Sequence, residues 1–323
     1  MKVMDQTVTE RFAMYHGDSA EVIKGIPEDS IGYTIFSPPF ASLYTYSNSE
    51  RDMGNVRNDA EFFAHLDYLI GELMRVTKPG RLVSFHCMDM PTSKARDGVI
   101  GLRDFRGALI RAFEAHDWIL HSQVTIWKDP VTAMQRTKAL GLLWKQIKKD
   151  SSMSRMGVPD YLVTMRKPGV NAEPITHSAE EFPVAQWQQW ASPVWMDINP
   201  SETLQFRSAR ENDDERHIAP LQLEVIRRGI VLWSNVGDTV LSPFAGIGSE
   251  GYVAIREGRK FVGCELKKSY YQTAARNLAS ATTSAQTLFA EVSDSMDEPE
   301  AEEPIIETET ETEAKPKAKR SRK

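Results

Sequence analysis

The amino-acid sequence predicts an α/β fold, with a mostly parallel sheet of about seven strands and helices on both faces. Three observations lead to this prediction. Apolar, strand-like runs alternate with helix-like stretches, one run leads into a glycine turn followed by a helix, and the next run ends in a carboxylate. The 323 residues, 41% of them hydrophobic, are enough for a large buried core.

Seven runs rich in apolar, β-branched or aromatic residues are predicted to be strands. They cover residues 12–15, 33–36, 82–85, 124–127, 161–165, 239–241 and 261–263. A helix is predicted between the second and third runs, where apolar residues recur at helical spacing until Pro79-Gly80: Phe62, Leu66, Leu69, Ile70, Leu73 and Val76. A second helix is predicted from about Leu221 to Trp233.

The net charge of −6 hides an uneven distribution along the chain. Residues 291–313 contain eleven acids and no base, residues 315–323 contain six bases and no acid, and the rest of the chain is nearly neutral. Few residues from Ala281 onward are apolar, so we expect residues 281–323 to form a disordered tail, first acidic and then basic.

The stretch from Lys128 to Lys167 is strongly basic, with nine bases and three acids. Within it, Leu140, Leu143, Trp144 and Ile147 form an apolar stripe that leaves the lysines to face elsewhere, toward phosphates or toward solvent. Residues 168–215 are rich in Pro, Trp and acids, and they lack regular periodicity. We interpret both stretches as one insert in the α/β fold.

Composition argues against several other classes of protein. No apolar run approaches the roughly 20 residues that span a bilayer, and charges near the N-terminus replace the apolar stretch of a secretory signal. We therefore expect a cytoplasmic protein without membrane contact. Cys87 and Cys264 lie far apart in strand-like runs, so we expect two core thiols, no disulfide and no metal site.

The first motif that predicts chemistry is Ser37-Pro38-Pro39-Phe40, directly after the strand 33–36. Ligands of open α/β sheets bind at the carboxyl ends of the strands. The prolines stiffen the backbone, so the Ser37 hydroxyl and the Ser37 or Pro38 carbonyl become fixed acceptors. Two such acceptors would hold both N–H bonds of an amino group on a base and expose its lone pair, while Phe40 stacks on the base. A rigid turn without a catalytic role is the alternative.

The second motif runs from Val240 to Ser249 and is again a strand followed by a glycine turn and a helix. Gly246 and Gly248 let a ligand approach the backbone, and Glu265 at the end of the next strand can accept hydrogen bonds from both hydroxyls of a ribose. The two features predict a nucleoside site. A nicotinamide cofactor is the rival ligand, although we do not regard its Gly-x-Gly-x-x-Gly pattern, with Gly251 in third place, as cleanly met.

Five elements in this order resemble the β class of DNA amino-methyltransferases, in which the catalytic motif precedes the cofactor motif. The resemblance covers nearly all of residues 10–280. Its elements are His16-Gly17-Asp18, Ser37-Pro38-Pro39-Phe40, Arg216-His217-Ile218-Ala219-Pro220, the glycine loop from Ser242 to Ser249, and Glu265. The five together are far more specific than any one of them.

The resemblance implies the Rossmann-like fold of S-adenosylmethionine-dependent methyltransferases. It also implies methyl transfer from S-adenosylmethionine to the exocyclic amino group of a base flipped out of double-stranded DNA. Catalysis is then assigned to Ser37, Pro38, Pro39 and Phe40, and cofactor binding to Asp18, His217, Ser242, Phe244, Gly246, Gly248, Ser249 and Glu265.

On this basis we divide the chain into a catalytic half (1–127), an insert that recognises DNA (128–215), a cofactor-binding half (216–280) and the tail (281–323).

The sequence departs from the family at two positions, because Ser242 stands where an acid is usual and Ile218 where a proline is usual. A catalytic motif that begins with serine slightly favours N4 of cytosine over N6 of adenine. An inactive DNA-binding protein of the same fold and an RNA methyltransferase remain as alternatives. His86, at the end of the strand 82–85, lines the same pocket or packs in the core, and the sequence slightly favours packing.

Overall fold

The structure is a computed structural model that describes residues 3–39, 59–92, 94–137, 142–205 and 220–296, and all structural statements below refer to these residues. The chain divides into two compact units, Met1–Gln286 and Thr287–Lys323. The first unit contains the sheet and all of the sites described below.

One large sheet of nine strands forms the centre of the first unit, and two further short strands form a hairpin beside it. The strands are β1 (Asp5–Val8), β2 (Phe12–His16), β3 (Ile31–Phe36), β4 (Thr77–Cys87), β5 (Met90–Thr92), β6 (Gly101–Arg103), β7 (Ile119–Ile126), β8 (Asp160–Arg166), β9 (Val194–Trp195), β10 (Thr239–Ser242) and β11 (Lys260–Glu265). The order across the large sheet is β1-β2-β11-β10-β3-β4-β8-β7-β9.

The predicted mostly parallel sheet is confirmed. The five central strands, from β2 to β4 in spatial order, are parallel, whereas β8 runs antiparallel to both β4 and β7. All seven predicted strands lie in this sheet. The edge strands β1 and β9 were not predicted, because β1 is largely exposed and β9 has only two residues, which leaves no period to detect.

Helices cover both faces of the sheet. The helices are α1 (Ser19–Ile23), α2 (Asp59–Val76), α3 (Lys94–Asp97), α4 (Phe105–Glu114), α5 (Pro130–Thr137), α6 (Trp144–Lys149), α7 (Val184–Trp190), α8 (Leu223–Trp233), α9 (Ser249–Arg256) and α10 (Lys268–Met296). One core joins α1, α2 and α4 to the sheet, and a second core joins α8, α9 and α10 to its other face. Both predicted helices are present, and all six predicted core residues of α2 are buried.

One predicted boundary, the start of the tail, differs from the structure. The tail does not begin at Ala281, because α10 continues to Met296 and Ala281 is fully buried. Alanines favour a helix, and Thr282 bonds back to the Leu278 carbonyl, so a low apolar content does not end the helix there. The insert 128–215 contains the predicted strand 161–165, which is β8, and also supplies β9.

The segment of residues 168–205 is also less irregular than the sequence predicted. Trp190 of α7 and Trp195 of β9 are buried, and the Arg228 guanidinium of α8 stacks on both rings. Arg228 also bonds Asp197 and Glu224. The segment therefore packs against α8, and its recognition role remains a prediction.

A buried ion pair ties β4 to β10 at the end of the sheet where the parallel strands begin. The Arg81 side chain is fully buried, and its Nη2 donates to Asp238 Oδ2 at 2.7 Å. Asp238 also accepts from the Asn235 backbone N–H. The charge of Arg81 is thus compensated inside the protein.

Candidate active site

The two sequence motifs meet at one edge of the sheet. Strands β3 and β10 are parallel neighbours, with Leu241 opposite Thr34, so their carboxyl ends lie side by side. Just past these ends, the rings of Phe36 and Phe244 pack with centroids 5.7 Å apart. The Ser37 motif and the glycine loop therefore open onto the same place.

The described part of the catalytic motif is half-buried. Pro38 is buried, and Ser37 and Pro39 are partly exposed, as a site that receives a substrate requires. Ser37 Oγ lies 3.1 Å from His86 Nδ1, within hydrogen-bond distance. The His86 side chain is buried, as the slightly favoured packing role requires, and its ring also faces the motif. Phe40 lies outside the described residues.

Two further residues continue from His86 on the same face of the sheet. His86 Nε2 lies 3.2 Å from Asp160 Oδ2, and Asp160 Oδ1 accepts from Lys128 Nζ at 2.5 Å. Burial would raise the pKa of the Asp160 carboxyl, but His86 and Lys128 hold it below its ordinary value. A charged carboxylate is thus enclosed between an imidazole and an ammonium group.

Asp160 and Lys128 were not predicted to belong to the site. Asp160 was counted among the acids of the basic stretch, and Lys128 among its bases. The pattern that points to them is a polar residue at the end of an apolar strand, as Asp160 is for β8 and Lys128 for β7. Side chains alternate along a strand, so Asp160 lies on the same face as Leu162 and Thr164. That signal becomes specific only once β8 is known to run antiparallel.

The glycine loop leaves space for a ligand. Gly246 has a φ of 53° and Gly248 a φ of 86°, a left-handed conformation that favours glycine. A Cβ atom on Gly246 would meet nothing within 4 Å, so the backbone there faces open space. Helix α9 begins directly after the loop, and Ser249 at its start is buried.

Two predicted carboxylates flank this loop. Glu265 accepts hydrogen bonds from the backbone N–H groups of Gly246 (2.9 Å) and Lys267 (2.8 Å). Asp18 follows β2, and β2 pairs with β11 so that His16 lies opposite Glu265. The Asp18 carboxylate accepts a hydrogen bond from Ala20 N and thereby caps α1. Each carboxylate oxygen can accept more than one hydrogen bond, so Glu265 retains capacity for ribose hydroxyls.

Ser242 fits a site that a ligand completes. It is fully buried at the end of β10, and its Oγ has no hydrogen-bond partner among the described residues. A buried hydroxyl without a partner is costly unless a ligand or water satisfies it. His217, the other residue predicted to lie near the methionine end of the cofactor, falls outside the described residues.

Gly251 allows the close helix packing for which the third glycine of the Gly-x-Gly-x-x-Gly pattern is required. A Cβ atom there would lie 2.4 Å from Phe261 Cδ1 and 2.5 Å from Leu278 Cδ2, so α9 packs directly on β11 and α10. The pattern Gly246-x-Gly248-x-x-Gly251 is therefore met structurally, contrary to the sequence-based expectation. Close helix packing is common to nucleotide-binding folds and does not identify the cofactor.

Comparison with known families decides the assignment. The sequence profile of a family described as DNA methylase matches residues 31–276, which is more than half of the chain. The chain belongs to the DNA methylase family. Its profile covers methylases of the N6 and N4 amino groups, so this DNA methylase is an amino-methyltransferase, as the resemblance implied.

Curated relatives of this DNA methylase are methyltransferases, several of which are described as type II methyltransferases. The type II methyltransferase M.BglII of Bacillus subtilis is 22% identical over 271 residues, 82% of this chain and 68% of its own. The type II methyltransferase M.Cfr9I of Citrobacter freundii is 23% identical, over 86% of this chain and 91% of its own. The DNA adenine methyltransferase YhdJ of Escherichia coli is 40% identical over a shorter stretch of 81 residues, 24% of this chain and 28% of its own.

Solved structures confirm the predicted Rossmann-like methyltransferase fold. TTHA0409 of Thermus thermophilus, a putative DNA modification methylase complexed with S-adenosylmethionine, matches with a TM-score of 0.63 at 23% identity, covering 85% of this chain and 95% of its own. The PvuII DNA methyltransferase, described as cytosine-N4-specific, matches with a TM-score of 0.61 at 17% identity, covering 88% and 97%.

S-adenosylmethionine is the cofactor of this DNA methylase family, and the residues of the chain fit it. The open space at Gly246, the carboxylate of Glu265 and the buried hydroxyl of Ser242 offer the backbone approach, ribose acceptor and unpaired polar group that such a ligand needs. The nicotinamide alternative is therefore wrong.

The described residues also bear on the predictions made for the cysteines, for metal ligands and for membrane spans. Both cysteines are fully buried, and burial raises the pKa of each thiol well above its ordinary value, so they are core thiols as predicted. Among the described residues, no group of His, Cys, Asp or Glu side chains is arranged to hold a metal ion. None of the described helices has the length and apolar character that crossing a bilayer requires.

Glu250, in the first turn of α9, makes the stability of the folded state depend on pH. Burial raises the pKa of its carboxyl from 4.5 to about 8, and the charge of Glu265 adds to the effect. The folded state thus keeps a proton that the unfolded state releases, so stability falls as pH rises from 4.5 through about 8.

We expect Glu250→Gln to remove this loss. At pH 9 the variant should be more stable than the parent protein by on the order of a few kcal/mol, since one pKa unit corresponds to about 1.4 kcal/mol. Thermal unfolding at pH 6 and pH 9 measures the difference, with the exposed Glu28→Gln as control. Equal pH dependence in the parent protein and both variants would contradict the prediction.

Proposed function

We propose that this DNA methylase acts on double-stranded DNA and methylates the exocyclic amino group of a base flipped into the Ser37 pocket, with N4 of cytosine favoured over N6 of adenine. The proposal rests on one observation, the contact of Phe36 with Phe244. That contact supports a position of the Ser37 and Pro38 acceptors near the glycine loop, which direct transfer of a methyl group requires.

The chain's own residues position the amino group. Ser37 Oγ accepts one N–H bond and the Ser37 or Pro38 carbonyl accepts the other, which frees the nitrogen lone pair from conjugation with the ring. S-adenosylmethionine supplies an activated methyl group when it is bound. Gly246, Gly248, Ser249 and Glu265 direct the bound cofactor toward the amino group, so catalysis is mainly orientation and hydrogen bonding.

The connection between β7 and β8 supports a DNA duplex as the partner. Its α6 has no buried residue, so the apolar stripe predicted there does not pack: Trp144 is 71% exposed and Ile147 47% exposed. Lys145, Lys148 and Lys149 lie on the same helix. Basic groups beside exposed apolar side chains suit phosphates and bases. Leu140 of the stripe lies outside the described residues.

The target base is best identified directly. The purified protein is incubated with mixed-sequence duplex DNA and S-adenosylmethionine, the DNA is digested, and the nucleosides are identified by mass. We expect N4-methylcytosine. N6-methyladenine would overturn the base preference alone, and methylation of RNA but not of duplex DNA would overturn the partner.

An inactive DNA-binding protein remains the second candidate because of Ser242, which replaces the family's acid. The retention of Ser37, Pro39 and Phe40 together argues against it. DNA binding without methyl transfer, at saturating S-adenosylmethionine, would favour this second candidate. The cytoplasmic location stays a prediction.

Glu265 is expected to control cofactor affinity. Glu265→Gln should weaken S-adenosylmethionine binding by about 10- to 100-fold, because hydrogen bonds to charged groups contribute about 1.5–3 kcal/mol. The methylation rate at saturating cofactor should change far less. Isothermal calorimetry gives the affinity. A lower melting temperature with unchanged affinity would show that the carboxylate only supports the loop through Gly246 and Lys267.

A further inference from the structure

Four polar side chains form an unbroken series across the reaction edge of the sheet. Ser37 follows β3, His86 lies near the end of β4, Asp160 begins β8, and Lys128 follows β7. The successive distances are 3.1, 3.2 and 2.5 Å. Four neighbouring strand ends thus contribute one polar residue each, on the face that carries the core of Leu162 and Ile126.

We propose that His86, Asp160 and Lys128 are positioning residues that set the direction of the Ser37 hydroxyl and remove the proton released by the methylated amino group. This inference rests on the proposed function, because it assumes that Ser37 contacts the amino group. His86 acts through Ser37, and Asp160 and Lys128 act through His86.

Asp160 determines which nitrogen of His86 carries the proton. Its carboxylate is charged and lies beside Nε2, where a ring lone pair would be repelled and an N–H is attracted. The N–H is not aligned with the oxygen, so this is a charge contact and not a linear hydrogen bond. With the proton on Nε2, neutral His86 presents the Nδ1 lone pair to Ser37.

This tautomer makes Ser37 an acceptor for the substrate. The Ser37 hydroxyl donates its hydrogen to His86 Nδ1, which leaves the oxygen lone pairs for an N–H of the base. If His86 were doubly protonated, Nδ1–H would itself donate to Ser37 Oγ and compete with the amino group. Protonation of His86 should therefore inhibit the reaction.

The proton that the amino group loses during methyl transfer can be taken up by Ser37 and His86. The amino nitrogen forms its bond to the methyl carbon as the bond from that carbon to the sulfonium sulfur breaks, and the electron pair stays on sulfur. The nitrogen then loses one proton to Ser37 Oγ while the Ser37 hydroxyl proton passes to His86 Nδ1. His86 becomes an imidazolium beside Asp160 and later releases the proton to water.

Lys128 keeps His86 ready to accept this proton. The ammonium group of Lys128 lies beside Asp160 and offsets part of the field of its carboxylate. The Asp160 side chain is only 5% exposed and that of Lys128 36% exposed, so the balancing charge reaches the surface.

Other charged groups of the described residues lie around this part of the sheet. The charges of Asp89, Asp104 and Arg106 act on Cys87, as that of Asp160 does, and the Cys87 side chain lies on the opposite face of β4. On the His86 face, Arg228 of α8 donates to Glu224 and to Asp197. Among the described residues, Asp160 contacts His86 directly, and Lys128 contacts Asp160.

The test measures the single-turnover methylation rate of duplex DNA from pH 5 to pH 9. His86→Asn keeps an acceptor near the position of Nδ1 but cannot take up a proton, and we expect its rate to fall by about 100-fold. Affinities for DNA and S-adenosylmethionine should stay within twofold. His116→Asn, which breaks a second His–Asp pair outside the site, is the matched control and should retain full activity.

Two variants should shift the pH at which the methylation rate falls on the acidic side, here called the acid limb of the pH–rate profile, in opposite directions. Lys128→Met exposes His86 to the full charge of Asp160, so the limb should move to higher pH. Asp160→Asn removes that charge, so the limb should move to lower pH, with a lower plateau. A residue with a merely structural role would not produce opposite shifts. An unmoved limb in both variants, or a His86→Asn rate within twofold of the parent protein, would overturn the proposal.

Nitrogen NMR tests the same inference without turnover. In the free protein His86, assigned by its loss in His86→Asn, should carry its proton on Nε2, and Asp160→Asn should reduce that preference. A proton on Nδ1 would overturn the inference even if the enzyme methylates DNA. If neither the parent protein nor any variant methylates DNA, the proposed function fails. The NMR measurement would still show whether His86 carries its proton on Nε2, and so would test the inferred arrangement separately.

Discussion

Ser37→Ala is expected to reduce the single-turnover rate of DNA methylation by about 100- to 1,000-fold, the usual effect of removing one preorganised hydrogen-bonding group from an active site. The variant lacks the oxygen that accepts an N–H of the base, so the amino lone pair stays conjugated with the ring. Cofactor affinity should stay within twofold, because the glycine loop and Glu265 are unchanged. Rapid-quench kinetics and calorimetry provide the two measurements.

A matched control exists on the same strand. Ser30 precedes β3, at the opposite end from Ser37, and its hydroxyl donates to the Pro27 carbonyl. Ser30→Ala should leave the methylation rate unchanged. If Ser37→Ala weakened cofactor binding as much as it slowed transfer, Ser37 would be part of the cofactor site and its assigned role would be wrong.

Arg81→Met should cause the largest loss of stability, about 3–5 kcal/mol, because it leaves the Asp238 carboxylate buried without its counter-charge. The double variant Arg81→Met/Asp238→Asn should recover part of this loss, since neither charge of the pair remains. Urea unfolding followed by circular dichroism gives the free energies of unfolding.

The control is the exposed pair next to it. Lys78 Nζ lies 2.6 Å from Glu173 Oε2 with side chains 27% and 58% exposed. Lys78→Met should cost only about 0–1 kcal/mol, the range measured for surface ion pairs. A loss in Arg81→Met no larger than this would mean that the ion pair offers little beyond the apolar contacts of its side chain.

Local patterns were enough to predict much of the fold and half of the site. The alternation of apolar residues gave α2 and seven strands, and the order of short motifs placed Ser37 and Gly246 together, since both follow parallel strands. These predictions depend on residues close in sequence. The same is true of Asp18, which follows β2 and caps α1.

What the sequence did not predict depends on strand direction and tertiary packing. Asp160 reaches His86 only because β8 runs antiparallel, and no local pattern distinguishes that direction from the parallel one. The two-residue β9 forms because Trp195 is buried against Arg228. The helix continues past Ala281 because that residue packs in the core, which composition averaged over a tail conceals.

The reversed direction of β8 has an evolutionary consequence. The chain leaves the sheet at Ile126 and re-enters it at Asp160, which is its direct ladder partner. A connection with fixed, adjacent ends tolerates exchange well, because each doubling of loop length costs only about 0.6 kcal/mol. Exchange of residues 129–159 would therefore leave the ladder of β7 and β8, and the contact of Lys128 with Asp160 at its end, in place.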